Sequence, residues 1–423
     1  MIECVRGIRR IAATAARTAA AAAVLTGIGV LASGPPAAGL KRYHFTVNDL
    51  AEPSVSAPNP PKVVPRPEGA MLTLPPGFQA EIFAENFKRP RIAVEAPNGD
   101  IFVADPSIGT VLVLHDADGN HVIDGGERSE FATGLNAPFG MAFHGGHLYV
   151  AATDAVLRFP YASGQRQATA AGEKIADLPH GPTGHSTRNI RFSPDGTWFY
   201  VTVGSASDID VDPDPLRAAV LRFKPDGSGR EVVVTGTRNP VGIDFHPRTR
   251  EPWITVQERD GIGDDLVPDY MARARTGAFF GWPYAYIGAH EDPRHKGARP
   301  DLVKTAVVPD VILQAHSSVM TLAFYDAPQF PARYHGGAFV ALRGSSNRTR
   351  RTGYKVVFVP FKGGDAAGGY EDFLVGWMLG EDSPEVWGRP VGLAVLKDGS
   401  LLVTDDGAGR IWRVTHGGPA RAQ

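Results

Sequence analysis

An apolar strand, a tight turn and a second apolar strand recur six times along this chain. The first copy runs Ile92-Ala93-Val94, Pro97-Asn98-Gly99, Ile101-Phe102-Val103-Ala104. The second joins Gly140-Met141-Ala142-Phe143 to Leu148-Tyr149-Val150-Ala151 through Gly145-Gly146. The third places Pro194-Asp195-Gly196 between Ile190-Arg191-Phe192 and Phe199-Tyr200-Val201. The remaining copies end in Trp253-Ile254-Thr255-Val256, Ala338-Phe339-Val340-Ala341 and Leu401-Leu402-Val403-Thr404. Asn-Gly or Asp-Gly between apolar runs is a strong hairpin signal, because such turns match the twist of paired strands. The second strands begin at 101, 148, 198, 253, 338 and 401. The first three intervals are 47, 50 and 55, close to one propeller blade, while 85 and 63 imply insertions. A third strand often follows, as in Val111-Leu112-Val113-Leu114 and Arg410-Ile411-Trp412-Arg413-Val414. A β-sandwich has no reason to repeat one phased hairpin, so the pattern predicts an all-β, six-bladed β-propeller over residues 71–416. The 49 glycines and 35 prolines of the 423 residues suit many turns better than long helices.

The flanks differ. Residues 1–33 read as an export signal, with Arg6, Arg9, Arg10 and Arg17 ahead of an uncharged small-residue run. The uncharged stretch from Thr18 to Leu40 is 23 residues long, but Gly34-Pro35-Pro36 interrupts it. That makes a cleaved signal a better reading than an anchor helix, which needs about 20 continuous apolar residues. The exported protein is then periplasmic or secreted, with no transmembrane domain after cleavage. The single cysteine, Cys4, lies in the signal, so the mature chain has no disulfide, thiolate metal site or cysteine nucleophile. Residues 34–70 are Pro-rich and aperiodic, an extended segment that crosses a surface or tethers the domain, and 417–423 form a short tail. A formal charge of −2 gives no general attraction to nucleic acid.

In a propeller the first strand of each blade lines the channel, so its start and the end of the second strand share one mouth. Strand starts bring Arg91, His185 with Arg188, Arg238 with Asn239, and Arg389 to that mouth. Second-strand ends bring Asp105, Asp154, Glu258 with Asp260, Arg343, and Asp405 with Asp406. Paired one by one these would be ordinary surface ion pairs. As a set, the arginines call for an anionic partner, because guanidinium matches carboxylate or phosphate bidentately. The acidic group suits a hard cation such as calcium. Asp116-Ala117-Asp118-Gly119-Asn120 resembles half of a calcium loop but, without a distal glutamate at the right spacing, is expected to be a plain Asp-Gly turn. His185, among Gly184, Ser186 and Thr187, reads as a loop residue, and an imidazole with a pKa near 6.5 accepts a proton at neutral pH. His316 is the second candidate histidine. Walker, His-Glu-x-x-His and Gly-x-Ser-x-Gly motifs are absent.

Several stretches together resemble the L-sorbosone dehydrogenase family, itself similar to soluble quinoprotein glucose dehydrogenases and aldose sugar dehydrogenases. They are Pro138-Phe139-Gly140-Met141, Gly184-His185-Ser186-Thr187-Arg188-Asn189, Thr237-Arg238-Asn239-Pro240, Glu258-Arg259-Asp260 with Gly263-Asp264-Asp265, Phe280-Gly281-Trp282-Pro283-Tyr284 and Gly388-Arg389-Pro390-Val391-Gly392. The resemblance covers roughly residues 70–415. It implies a propeller that binds pyrroloquinoline quinone (PQQ) and calcium at one mouth and oxidises an aldose or sugar aldehyde, with electrons leaving to an external acceptor. It further implies that His185 is the catalytic base and that Arg238 faces the quinone carbonyl beside Asn239. Asp260 and Gly261 fall in the loop whose backbone carbonyls hold calcium. Arg343 and Arg389 fall where cofactor carboxylates are bound, with Arg91, Arg188 and Asn347 as further cofactor candidates. Close relatives read His-Gly-Ser-Trp-Asn-Arg where this chain has Arg343-Gly344-Ser345-Ser346-Asn347-Arg348, so Arg343 and Ser346 replace the family's imidazole and indole, and the resemblance implies the substrate less firmly than the cofactor.

Two other readings use the same fold: a metal-dependent lactonase-type propeller without a quinone, and a non-catalytic carbohydrate- or protein-binding propeller. The export reading carries its own test. N-terminal sequencing of exported protein should find a start between about residue 33 and residue 45; exported material still beginning at Met1 would refute cleavage.

Overall fold

A computed structural model describes residues 39–418. The expected signal segment, residues 34–38 of the Pro-rich segment and residues 419–423 lie outside them. The six expected hairpins are all present as the inner half of six antiparallel sheets. Blade one comprises Ala93–Glu95, Ile101–Asp105, Thr110–Leu114 and Arg128–Ala132. Blade two comprises Gly140–His144, His147–Ala151, Ala155–Pro160 and Glu173–Asp177. Blade three comprises Ile190–Phe192, Phe199–Val203, Ala219–Phe223 and Glu231–Thr235. Blade four comprises Asn239–Phe245, Pro252–Gln257, Pro268–Arg273 and Val311–Ala315. Blade five comprises Val319–Tyr325, Gly337–Leu342, Lys355–Val359 and Tyr370–Leu374. Blade six takes Pro390–Val395, Leu401–Asp405 and Arg410–His416 from the end of the chain. Its outer strand is Phe78–Ala84, from the beginning.

That shared blade closes the ring. Phe78 meets Phe330, Tyr334 and Phe373 edge-on at 4.8, 5.3 and 5.0 Å, packing the closing strand against blade five. The second strands are buried along their whole length in blades one, three, five and six, because their alternate faces both meet a neighbouring blade. The long intervals are insertions. Residues 274–310 carry the Ala285–Tyr286 and His290–Glu291 hairpin and the short helix Pro300–Val303. Among the described residues no helix is long and apolar enough to cross a membrane.

The Pro-rich segment contacts blade five, a loop of blade four and the connection that leads into blade six. Arg42–Tyr43 adds a fifth strand to blade five beside Tyr370 and Glu371. The Ser54 N–H donates to Ile262 O (2.9 Å) and the Asn59 N–H to Ser346 O (2.7 Å). Lys62–Val63 then pairs in parallel with Glu385–Val386.

Bulges in the innermost strands of blades four, five and six shift the register near one mouth. A second-strand threonine fills the gap each time in blades four and six. Thr404 Oγ1 accepts the Gly392 N–H (2.8 Å) and donates to Arg91 O (2.5 Å) on blade one. Thr255 Oγ1 accepts the Gly242 N–H (2.9 Å) and donates to Met320 O on blade five. Gly392 is forced by this contact, since a Cβ there would lie 2.1 Å from Arg91 O. Gly392→Ala must push blades six and one apart. It should lower stability by about 1–3 kcal/mol, read from chemical denaturation midpoints; an unchanged midpoint would show that the blade contact is slack.

Candidate functional site

The contacts of the predicted residues divide them into three groups. The first group spans blades five, six and one. Arg343 Nε and Arg389 Nε lie 2.9 Å from the two oxygens of Asp406. Arg91 Nη1 (3.2 Å) and Arg89 Nε (3.5 Å) approach the same carboxylate. Four guanidiniums therefore surround one fully buried carboxylate, leaving three positive charges unbalanced. Burial alone would raise the Asp406 carboxyl, but these charges outweigh it and hold it below the usual carboxylate range. Arg91 is pushed down to about 9 by burial and by Arg343, Arg89 and Arg389, with Asp406 opposing. Its Nε is buried without a partner.

Asp105 and Asp405, at matching positions in blades one and six, do something else. Asp105 accepts the backbone N–H groups of Lys88, Arg89 and Ser107. Asp405 accepts those of Arg389, Gly407 and Ala408. Both carboxylates build the turns that present the arginines.

The second group joins blades three and four. His185 Nδ1 lies 3.1 Å from Ser205 O and 3.2 Å from Ser205 Oγ. A carbonyl can only accept, so Nδ1 carries the ring proton and Nε2 is the basic nitrogen. The imidazole does not keep its ordinary value near 6.5: burial, then Arg238, Arg217 and Arg188, push it down to about 3. Arg238 Nη1 donates to Gln257 O (3.2 Å) and Glu258 O (2.8 Å), and its Nη2 meets Asp208 Oδ1 at 2.6 Å. The Asn239 amide donates to Gln257 Oε1 (2.9 Å), while its buried Oδ1 has no partner. The Ser205 N–H donates to Arg238 O (2.8 Å), so one turn touches both His185 and Arg238. Gly204 permits it, because a Cβ there would fall 2.5 Å from both His185 Cβ and Asn239 Oδ1. Arg188 keeps a buried Nε without a partner, but its terminal nitrogens are engaged. Its Nη1 donates to His185 O and Thr187 O (2.8 Å each) and its Nη2 to Pro179 O (2.6 Å), so it fastens the His185 loop instead of offering those donors to an anion.

The third group lies between blades four and five. Asp260 Oδ1 meets His316 Nδ1 at 2.8 Å, and Oδ2 accepts from Asn347 Nδ2 at 2.7 Å. His316 Nε2 bonds Gly263 O (2.8 Å). Burial would lower His316, but Asp260 and the Gly263 carbonyl raise it; both ring nitrogens face these acceptors, so neither is spare for a substrate. Asp260 O also accepts from Arg259 Nε (2.9 Å). The Asp260 side chain is thus committed, and Gly261 follows it in a left-handed conformation (φ +86°). Behind it, burial pushes Glu258 up to about 8, and Glu258 Oε1 is unpartnered.

Arg89, Ser205, Asp208 and Arg217 were not among the sequence candidates. Arg89 shares the phase of Arg91, two residues on, and Asp208 opens the alternating run Asp208-Ile209-Asp210-Val211-Asp212-Pro213-Asp214. The reading of Asp116–Asn120 needs correction. Glu127 stands twelfth counting from Asp116, and oxygens of Asp116, Asp118 and Glu127 lie within 4.8 Å of one another. Those side chains already accept backbone N–H groups of Ala117, Gly119, His121 and Asp124, at the end of blade one away from the arginines.

The charge balance of the first group is testable through acid stability. The folded Asp406 carboxyl is depressed below its unfolded value, so its contribution is complete above about pH 4 and is lost as pH falls through the folded value. Asp406→Asn should cost about 3–5 kcal/mol near neutrality, with the gap to wild type closing in acid. An equal gap at both pH values in urea denaturation would remove Asp406 from this role.

An uncharacterized protein of Borreliella burgdorferi is 28% identical over 356 residues, 81% of this chain and 90% of that one. The holo PQQ domain of pyranose dehydrogenase from Coprinopsis cinerea superposes with a TM-score of 0.71 at 20% identity, over 83% of this chain and 98% of that one. A calcium structure of the Trichoderma reesei carbohydrate-active enzyme family AA12 gives 0.71 at 18% identity, over 84% and 98%. PQQ-bound aldose sugar dehydrogenase from Streptomyces coelicolor gives 0.58 at 18%, over 81% and 99%. These structures share the fold. Residues 72–267 and 299–417 match the TrAA12-like family, which covers most of the propeller with its mouth, and the chain belongs to that family.

Proposed function

We propose that this chain is a PQQ-dependent oxidoreductase that oxidises an aldose or a sugar aldehyde, as its resemblance to L-sorbosone dehydrogenases implies, and passes the electrons to an external acceptor after export. The observation that carries this reading is the set of four guanidiniums around Asp406, with three charges unbalanced. PQQ is a planar tricarboxylate, and three carboxylates supply the missing charge. The orphaned Arg91 Nε and Asn239 Oδ1 are further polar atoms awaiting a partner. Two of the solved propellers of this fold are titled as PQQ-containing sugar dehydrogenases. A metal-dependent lactonase could draw on the free oxygens of Glu258 and Asn239, but it would give the guanidiniums gathered around Asp406 no role.

Arg91, Arg343 and Arg389 would hold the cofactor's carboxylates, Asn239 would lie at its edge, and the carbonyls of Asp260 and Gly261 would hold calcium. When bound, PQQ supplies the two-electron acceptor and calcium an electrophilic charge beside it. The chain's own residues do the rest. His185 Nε2 accepts the substrate hydroxyl proton, because Nδ1–H is spent on Ser205. Arg238, clamped by Gln257, Glu258 and Asp208, keeps a fixed positive charge beside that base.

Titration with PQQ in the presence of calcium should give a stoichiometric absorbance change, and a dye-linked screen of aldoses and aldehydes should find turnover. His185→Ala should bind PQQ as wild type does and lose about 10²–10⁴-fold in kcat. The acid limb of wild-type kcat should lie below pH 6.5, because burial and the arginines keep His185 unprotonated there. Near-normal turnover by His185→Ala would show that another group takes the proton.

A further inference from the structure

Arg217 is a buried guanidinium that no step above uses. It lies ahead of Ala219–Phe223, the third strand of blade three, with its side chain 5% exposed. Its Nε donates to Gly204 O (3.2 Å) and its Nη2 to Ser205 O (3.0 Å). It forms an ion pair with Asp212 (3.5 Å), whose Oδ2 also accepts the Ala206 N–H (2.7 Å). Three consecutive residues, Gly204 to Ala206, are therefore held by this one pair. The same Ser205 carbonyl accepts both the main-chain N–H (2.9 Å) and the Nδ1–H (3.1 Å) of His185. Arg217 and the imidazole thus share one acceptor oxygen, which places the guanidinium beside the ring. A plain buried ion pair needs only Asp212. The two carbonyl bonds are what that role leaves unexplained.

Charges face His185 from every neighbouring element. Arg188 comes from its own loop, Arg217 from the segment before the third strand of blade three, and Arg238 from the start of blade four. Near these arginines lie Asp154, Asp212 and Asp208 in turn, and the ring's Nδ1 partners are the carbonyl and hydroxyl of Ser205. The ring has a polar, neutral partner at Nδ1 and cations around it.

We propose that Arg217 is a positioning residue for the proton acceptor: it fixes the Gly204–Ser205 turn so that His185 keeps its proton on Nδ1 and presents Nε2, and its charge opposes protonation of the ring. This rests on the reading of His185 as the base, and it adds a residue that acts through His185 without touching substrate. The depressed imidazole agrees with it, Arg217 being among the causes.

The test uses the full exported chain with 15N-labelled histidine, the His185 signal being assigned by its loss in His185→Ala. In wild type without added PQQ, the ring should show a single neutral tautomer, protonated at Nδ1, and should not titrate between about pH 8 and pH 5. The paired variant Arg217→Gln with Asp212→Asn removes both charges without orphaning either. It should raise the titration midpoint by about one pH unit or more. Arg217→Lys keeps the charge but cannot span both carbonyls, so the midpoint should stay low while the second tautomer appears. With PQQ bound, the acid limb of kcat should move with the ring in the paired variant, at unchanged KM for the sugar. A paired variant with wild-type circular dichroism and an unmoved midpoint overturns the electrostatic role, and Arg217→Lys with a single Nδ1–H tautomer overturns the positioning role. Should the paired variant not fold, Arg217→Lys decides alone, and a midpoint or tautomer against expectation overturns the proposal. Because the ring is read without cofactor, a protein that never oxidises sugar still answers this question, which separates failure of this inference from failure of the dehydrogenase reading.

Discussion

Everything at the mouth depends on closing the ring. Blade six exists only when Phe78–Ala84 pairs with Arg410–His416. Closing so long a loop carries an entropy cost that grows only with the logarithm of its length, so a few buried aromatic contacts at the seam can offset the increment. The seam also positions charge. Arg389 and Asp406 belong to blade six, Arg89 and Arg91 to the start of blade one, and Arg343 to blade five. Thr404 binds blade six directly to Arg91 O. An open ring would separate the arginines and leave Asp406 with fewer partners.

The cluster is not assembled for its own stability. Four like charges around a single buried carboxylate repel one another in a medium that screens them poorly. Burial first, and then the neighbouring Arg343, Arg89 and Arg389, push Arg91 down to about 9. Local structure that conflicts with stability in this way is characteristic of sites built for a partner that carries the compensating charge. Asp406 holds the geometry with one charge where several are wanted. That is the physical content of reading the mouth as an anion site.

Legibility in the sequence followed the kind of information each feature carries. The hairpins were visible because strand alternation and Gly-containing turns are local, and phase alone brought Arg91, Arg343 and Arg389 to one mouth. The outer strand Phe78–Ala84 was not assigned to blade six, because no local signal says that the two ends of a chain pair. Phase also could not say what a side chain touches. Arg188 shares its phase with the cofactor candidates, yet its terminal nitrogens are spent on carbonyls. Asp105 and Asp405 looked like metal ligands and are turn builders. Arg217 was missed because it approaches His185 from the third strand of its blade, outside the strand ends that were compared. Glu127 was missed by spacing, which could have been counted.

The two unusual features of the mouth have separate sets of guanidiniums behind them. His185 is depressed because burial and three guanidiniums disfavour a fourth cation, and the Asp406 group is unbalanced because its guanidiniums outnumber its carboxylates. A base at about 3 is available at any physiological pH but accepts a proton weakly, since proton-transfer efficiency follows basicity. Negative charge close to Arg188, Arg217 and Arg238 would offset their share of the depression, while burial, its largest cause, would remain. A carboxylate bonded to Nδ1 would strengthen the ring permanently. A carbonyl at that position, as Ser205 supplies, leaves the strength of the base to burial and to the charges around the ring.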